Sequence, residues 1–370
     1  MKLNIPDNVA EITPYPPGKP LEELEREYGI TGSIKLASNE NPWGPSPKAV
    51  AAAQEVLHSL HRYPDGSSYY LTEALAGWTG ATPEEIVLGN GSNEVIEFLV
   101  KAFVCPGDEV ITSHPSFLMY QKFVQVRGGV NIVIPLQDMQ HDLEGIAAAV
   151  NERTRLIFLD NPNNPCATLI SKERFAEFLA KLPENLLVVL DEAYIDFVEP
   201  EQRIDVLSLI RRPEGIPAVV ALRTFSKAFG LAGLRVGFGI MHPEIASLLH
   251  RVRQPFNINL PAQAGALAAL TDIAHYEKTI NGTTAGRDWL SDQVRELGCV
   301  PYPSRTNFFL IDVRGDANEL YKAMLYKGVI VRSMKAYGYP NFIRITVGTQ
   351  EENQRFVIAL ATCLQELGCV

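Results

Sequence analysis

Cysteine is scarce in this 370-residue chain. The five residues, Cys105, Cys166, Cys299, Cys363 and Cys369, are odd in number, scattered, and form no C-x-x-C pair. That excludes a disulfide framework and a cysteine-built metal module, and a reducing cytoplasm is the simplest setting. No apolar run is long enough to span a bilayer, and residues 1–10 carry Lys2, Asn4 and Asp7 with no secretory apolar core. Positive charge is in the minority, 33 Lys and Arg against 43 Asp and Glu, for a net charge of −10. This argues against nucleic acid and anionic membrane as partners, while leaving room for a local basic pocket. Internal repeats and low-complexity segments are also lacking. With 46% hydrophobic and 21% charged residues, one large or two ordinary domains with a sizeable core are expected, and disorder is not.

What the chain does have is alternation. Apolar runs at 86–88, 109–112, 131–135, 156–159, 186–190 and 218–222 read as buried strands, and helical stretches at 47–60, 71–79, 95–104, 143–150 and 172–182 precede or separate them. Continuous apolar strands alternating with helices indicate an α/β fold, a mainly parallel sheet sandwiched by helices. Ser46-Pro47 is a cap and first-turn pair, and Gly29 ends a short helix from Leu21 to Tyr28. The pattern breaks at Pro255–Leu260. A long helical stretch from about Pro261, strands at 308–313, 329–332 and 342–347, and helices at 317–327 and 351–367 then make a smaller α+β domain. The expected division is a proline-rich N-terminal arm over 1–35, a large domain over 36–258 and a small domain over 259–370.

Ligands of such sheets bind beyond the carboxyl ends of the strands. Asn164, Asp191, Tyr194 and Lys227 all fall there. Lys227 sits among Thr224, Ser226, Phe225 and Phe229, with Arg235 after a Gly-Leu-Ala-Gly turn. In apolar surroundings an ammonium is disfavoured and the amine becomes a nucleophile, as a Schiff-base lysine requires; the hydroxyls and Arg235 suit a phosphate. The same residues fit a lysine snorkelling to water from a helix. The loop Gly89–Glu94 leads from a strand into a helix, a ready anion site, although its spacing is neither a Walker loop nor G-x-G-x-x-G.

Seven motifs coincide in order along nearly the whole chain: N-E-N-P-W-G-P (39–45), R-Y-P-D (62–65), L-G-N-G-S-N-E (88–94), N-P-N-N-P (161–165), D-E-A-Y (191–194), R-T-F-S-K-A-F-G-L-A-G-L-R-V-G (223–237) and I-R-I-T-V-G-T (343–349). On these the sequence resembles the fold-type-I pyridoxal-phosphate enzymes, the aspartate aminotransferase superfamily, and within it the histidinol-phosphate aminotransferases. The resemblance implies pyridoxal 5'-phosphate as cofactor and a homodimer in the cytoplasm. It implies that Lys227 bonds the cofactor and moves a proton, that Asp191 keeps the pyridine nitrogen protonated, and that Tyr194 and Asn164 bond the phenolic oxygen. By the same resemblance Phe117 stacks on the ring, Ser92, Asn93, Thr224, Ser226 and Arg235 hold the phosphate, and Tyr63 reaches it from the other subunit. Arg344 would take the glutamate carboxylate and Arg332 the substrate phosphate, with Asn39 also on the substrate side and Tyr15 closing the neighbouring site.

The implied reaction is transamination of L-histidinol phosphate with 2-oxoglutarate in histidine biosynthesis. An aromatic amino-acid aminotransferase and a threonine-phosphate decarboxylase share the motifs as alternatives. A cofactor-binding regulator is disfavoured, since such proteins add a DNA-binding domain. Two positions depart from the family pattern. Asn93 stands where Asp is usual, and Cys166-Ala167 replaces Thr-Gly, so a left-handed turn there would strain Ala167 modestly. Cys166 is expected to be a small apolar filler rather than a nucleophile.

Overall fold

The computed structural model describes residues 3–14, 20–211 and 215–368. Tyr15 lies outside the described residues. A short strand, β1 (Ile34–Lys35), precedes the large sheet. That sheet contains β2 (Ile86–Gly89), β3 (Glu109–His114), β4 (Val130–Pro135), β5 (Thr154–Asp160), β6 (Leu187–Asp191), β7 (Ala218–Thr224) and β8 (Gly237–Ile240), in the order β2-β8-β7-β6-β5-β3-β4. All are parallel except β8, which runs antiparallel to both neighbours.

Strand side chains alternate between faces, and the packing follows that period. Leu88, Ile111, Ile157, Val188 and Ala221 join one core cluster with Leu71, Leu75, Phe175 and Ala262 from helices on that side. Val87, Val110, Phe158, Val189 and Val220 join the other, under Ile96, Phe98 and Leu99. The sheet is therefore covered on both faces, as the continuous apolar strands require.

The second sheet is β9 (Val300–Pro301), β10 (Phe308–Asp312), β12 (Arg332–Ser333) and β13 (Phe342–Thr346), in the order β12-β13-β10-β9, while β11 (Val329–Ile330) pairs in parallel with β1. The single strand expected over 329–332 is thus two. Ile330 packs with Leu24 and Leu325, while Val329 and Val331 face the small core. A four-residue run carries no mark of the register change between them. Several elements have no expectation behind them, among them the helices Met119–Val126, Val206–Ile210 and Pro243–Val252 and the strand β8. The helix expected from Val95 starts at Ser92. Ser46 caps the helix Pro47–Glu55 and Gly29, at φ 64°, ends the helix Leu21–Tyr28, as expected.

Helix Leu260–Leu270 places Ala262, Ala266 and Ala269 in the large core, and Leu36 joins the small one. Helix Ile273–Glu296 carries Tyr276 against the large core and Leu290 and Val294 into the small. We propose the domain boundary inside that helix rather than at 258/259, with Ile34–Leu36 belonging to the small domain.

Candidate active site

The carboxyl ends of β5, β6 and β7 open onto a cavity of about 320 Å³, which β12 and β13 line from the other sheet. Lys227 follows β7 in a turn rather than a helix, which removes the simplest snorkelling geometry. Buried Phe225 and Ala228 pin that turn on either side. Lys227 Nζ stands 5.6 Å from the Tyr194 ring centroid. Burial first, and then the charge of Arg344, pull its ammonium down to about 8.

Asp191 ends β6 and is 5% exposed. Burial pushes its carboxyl up to about 7, against hydrogen bonds from the Tyr120 hydroxyl (2.8 Å) and the Ala193 N–H (3.1 Å). Tyr194 accepts a 2.9 Å bond from Asn39 Nδ2, and burial pushes its phenol up to about 12. Asn39 is itself held in a left-handed conformation, φ 54°, by bonds with Thr346 of β13 and with Asn307, just before β10.

Beside these lies an anion cradle. Ser92 and Asn93 begin the helix Ser92–Phe103, so their N–H groups lack intrahelical acceptors. Gly91 precedes them at φ 80°, ψ 160°, a conformation open essentially to glycine alone. A Cβ on Gly91 would stand 2.6 Å from an Arg235 guanidinium nitrogen, and one on Gly237 would stand 2.1 Å from the Ser92 nitrogen. The Thr224 hydroxyl donates to Ser226 Oγ at 3.0 Å on the same rim. Asn93 Oδ1 is buried with no hydrogen-bond partner among the described residues. A flipped amide would present a donor there.

On the opposite wall Arg332 and Arg344 are direct register partners of β12 and β13, so their side chains share one face. Arg344 donates to Asn164 Oδ1 (2.5 Å) and to the Ala37 carbonyl (2.8 Å), and lies 5.1 Å over the Phe308 ring. Arg332 lies 6.0 Å from the Tyr337 ring centroid.

Thirteen expected residues line this one cavity: Asn39, Ser92, Asn93, Phe117, Asn164, Asp191, Tyr194, Thr224, Ser226, Lys227, Arg235, Arg332 and Arg344. Tyr63 does not line it; the residue is 83% exposed and its ring stacks on Phe256 at 4.8 Å. Sequence reasoning missed Tyr120, Asp160, Ser116, Glu40 and Tyr337, which also line the cavity. Asp160 had a signal, since β5 and β6 both end in Leu-Asp and the two acids are register partners. Tyr120 had none, because its helix was not foreseen. Ala167 does take the left-handed conformation, φ 62°. Cys166 is buried and its thiol is pushed up to about 12, mainly by burial, which makes it an inert filler.

The arrangement fits pyridoxal phosphate: a glycine-dependent anion cradle, a desolvated acid and a lysine of depressed basicity face one space. The model of the aminotransferase class I and II family matches residues 31–360. A histidinol-phosphate aminotransferase of Desulfotalea psychrophila is 64% identical over all of this chain and 98% of its own length. One from Moorella thermoacetica is 46% identical over 96% of this chain and 92% of its own. The crystal structure of histidinol-phosphate aminotransferase from Sinorhizobium meliloti, in complex with pyridoxal-5'-phosphate, superposes with a TM-score of 0.90 at 29% identity, covering 99% of both chains. The chain belongs to the class I and II aminotransferases, and within them to the histidinol-phosphate aminotransferases.

Proposed function

We propose that the chain transaminates L-histidinol phosphate with 2-oxoglutarate, giving imidazole-acetol phosphate and L-glutamate, as a step of histidine biosynthesis. The observation that carries this is the facing of two pairs: Lys227 and Asp191 on one wall, Arg332 and Arg344 on the other. One site must accept a phosphate in one half-reaction and two carboxylates in the other. Guanidinium matches both anions bidentately.

Bound pyridoxal phosphate supplies the electron sink that an amine carbon needs to release its proton. In our reading the chain does the rest. Lys227 anchors the cofactor covalently and carries the proton at Nζ. Asp191 holds a proton at the pyridine nitrogen. Tyr194 and Asn164 bond the phenolic oxygen, and Phe117 stacks on the ring. The phosphate rests on Ser92, Asn93, Thr224, Ser226 and Arg235. Arg344 takes a carboxylate common to every turnover, Arg332 the substrate phosphate, and Asn39 closes the substrate side while orienting Tyr194. The aromatic aminotransferase and threonine-phosphate decarboxylase alternatives are not favoured by the relatives named above.

We further propose a homodimer in which Tyr63, and Tyr15 on the arm, serve the neighbouring site. Leu57, Leu60, Tyr63, Tyr69, Tyr70 and Phe256 are all exposed in the single chain, and a second copy would cover them. A cytoplasmic location suits the free Cys105, Cys166, Cys299 and Cys363; no helix among the described residues is long and apolar enough to cross a membrane.

The test of function is kcat/KM on histidinol phosphate, phenylalanine and threonine phosphate, with borohydride labelling of Lys227. A label on another lysine, or a preference for phenylalanine, defeats the proposal. For the dimer, Tyr63→Phe chains are mixed with Lys227→Ala chains. Shared sites restore one intact site in some heterodimers; activity no higher than the parents', with subunit exchange verified, means sites built within one chain.

A further inference from the structure

Three acids crowd the carboxyl ends of β5 and β6, and they are neutralised differently. Glu192 pairs with Arg223 at 2.9 Å. Asp160 accepts from Ser116 (2.8 Å), Asn163 (3.0 Å) and the Asn164 N–H (2.8 Å), and lies 3.2 Å from His141 Nε2. Asp191 has no ion-pair partner among the described residues. Its bonds come from two neutral donors, the Ala193 N–H and the hydroxyl of Tyr120.

Tyr120 is the second residue of the helix Met119–Val126 and is fully buried. Its ring stacks on Phe158 (centroids 4.7 Å apart, planes 6° apart) and meets Phe117 edge-on at 5.5 Å. Held on both sides, the ring leaves its hydroxyl little choice of direction. Burial raises the phenol well above its usual range, so it stays a donor at every working pH. We propose that Tyr120 is a positioning residue of the cofactor site, whose hydroxyl keeps Asp191 an ionised, correctly turned acceptor until a cationic ring nitrogen reaches it. The inference rests on the proposed function, since it assigns Asp191 to the pyridine nitrogen.

The charged and titratable groups around Asp191 are Asp160 from β5 with His141 behind it, Glu192 beside it, Tyr194 in the following turn, Lys227 after β7 and Tyr120 from its helix. The neighbouring acids oppose ionisation of Asp191, and Tyr120 is the side chain that bonds its charged form. Tyr120→Phe keeps both ring contacts and removes one oxygen.

The experiment measures binding of pyridoxamine 5'-phosphate to the apoenzyme from acid to alkaline pH. This probe makes no covalent bond to Lys227, so the lysine's chemistry drops out of the comparison. A lost hydrogen bond to a charged group corresponds to about ten- to a hundredfold in affinity. The variant's acid-side midpoint should move up by about one pH unit, so that it binds about fivefold more weakly at pH 7, about tenfold more weakly below pH 6, and little differently near pH 9. In the Asp191→Asn background Tyr120→Phe should have almost no further effect on the midpoint. That second comparison also stands if the single variant is too unstable to measure. An unchanged midpoint, or a loss equal at every pH, overturns the inference and leaves Tyr120 a packing residue. If the wild-type chain itself takes no borohydride label at Lys227, the proposed function has failed, and the two outcomes are distinguishable.

Discussion

The two walls of the cavity are built on different chemistry. The large-sheet wall presents groups whose ionisation the fold has moved, Asp191 up to about 7 and Lys227 down to about 8. The small-sheet wall presents the guanidinium groups of Arg332 and Arg344, register partners on one face; guanidinium is a fixed cation by its own chemistry. A wall that must exchange protons is desolvated until its groups titrate near neutrality. A wall that must only recognise anions uses charges that cannot be lost. Substitutions on the first should act on kcat and on pH profiles, and those on the second on kcat/KM for particular substrates.

The strongest way to break this contrast is Lys227→Ala. Loss of both the covalent anchor and the proton carrier should lower transamination by roughly 10⁴-fold or more, since acid–base transfer alone is worth about 10²–10⁴. The fold should survive, by circular dichroism and thermal melting. Asp191→Asn should lower kcat by roughly 10²-fold or more with KM less affected. It should also do something no recognition residue can. A carboxyl raised to about 7 in the folded chain binds a proton there that the unfolded chain has released, so its stability penalty is absent below the unfolded value and grows as pH rises to the folded one. Apo Asp191→Asn should therefore melt higher than apo wild type at pH 8, and the gap should close toward pH 4. A gap independent of pH would mean that Asp191 is not held at a shifted pKa.

On the other wall the two arginines should separate. Arg344, bonded to Asn164 and Ala37, would meet the carboxylate of glutamate or 2-oxoglutarate, which every turnover uses, so Arg344→Ala should lower kcat/KM for 2-oxoglutarate by about ten- to a hundredfold whatever the amino donor. Arg332→Ala should weaken histidinol phosphate by a similar factor and phenylalanine hardly at all. Equal losses for both substrates in the Arg332 variant would erase the division of labour.

The large wall was far more legible in the sequence than the small. Strand ends followed by Asp191, Lys227 and Asn164 are local patterns, readable because apolar runs stop where polar residues begin. The register of Arg332 against Arg344 is a relation between segments, and the switch of partner strand between Ile330 and Arg332 leaves no trace in composition. Asn39 was readable as part of a motif, but its bond to Tyr194 joins residues 155 positions apart. Tyr120 was invisible because a short helix supplies it, whereas Tyr63 was named by its motif and does not line the cavity of the single chain.

The smallest effect is expected at the seam. Ala167 packs in a cluster with Tyr194 from one wall and Phe308 from the other, and it sits at φ 62°. Left-handed backbone costs a non-glycine residue roughly 1–2 kcal/mol, which Ala167→Gly would relieve. The same change removes a buried methyl worth about 0.8 kcal/mol and adds unfolded-chain freedom worth about 0.4–1 kcal/mol. These terms oppose one another and nearly cancel, so the melting temperature should move by less than about 4 °C in either direction. Activity should hold within about threefold, because a difference of that size in a barrier is under roughly 1 kcal/mol. A larger gain in stability would mean that the turn is strained well beyond its dihedral angle. A fall in kcat with unchanged stability would mean that the Ala167 methyl steadies the edge contact of Tyr194 on Phe308, whose centroids are 5.0 Å apart, and so that the two walls are coupled through their seam rather than independent.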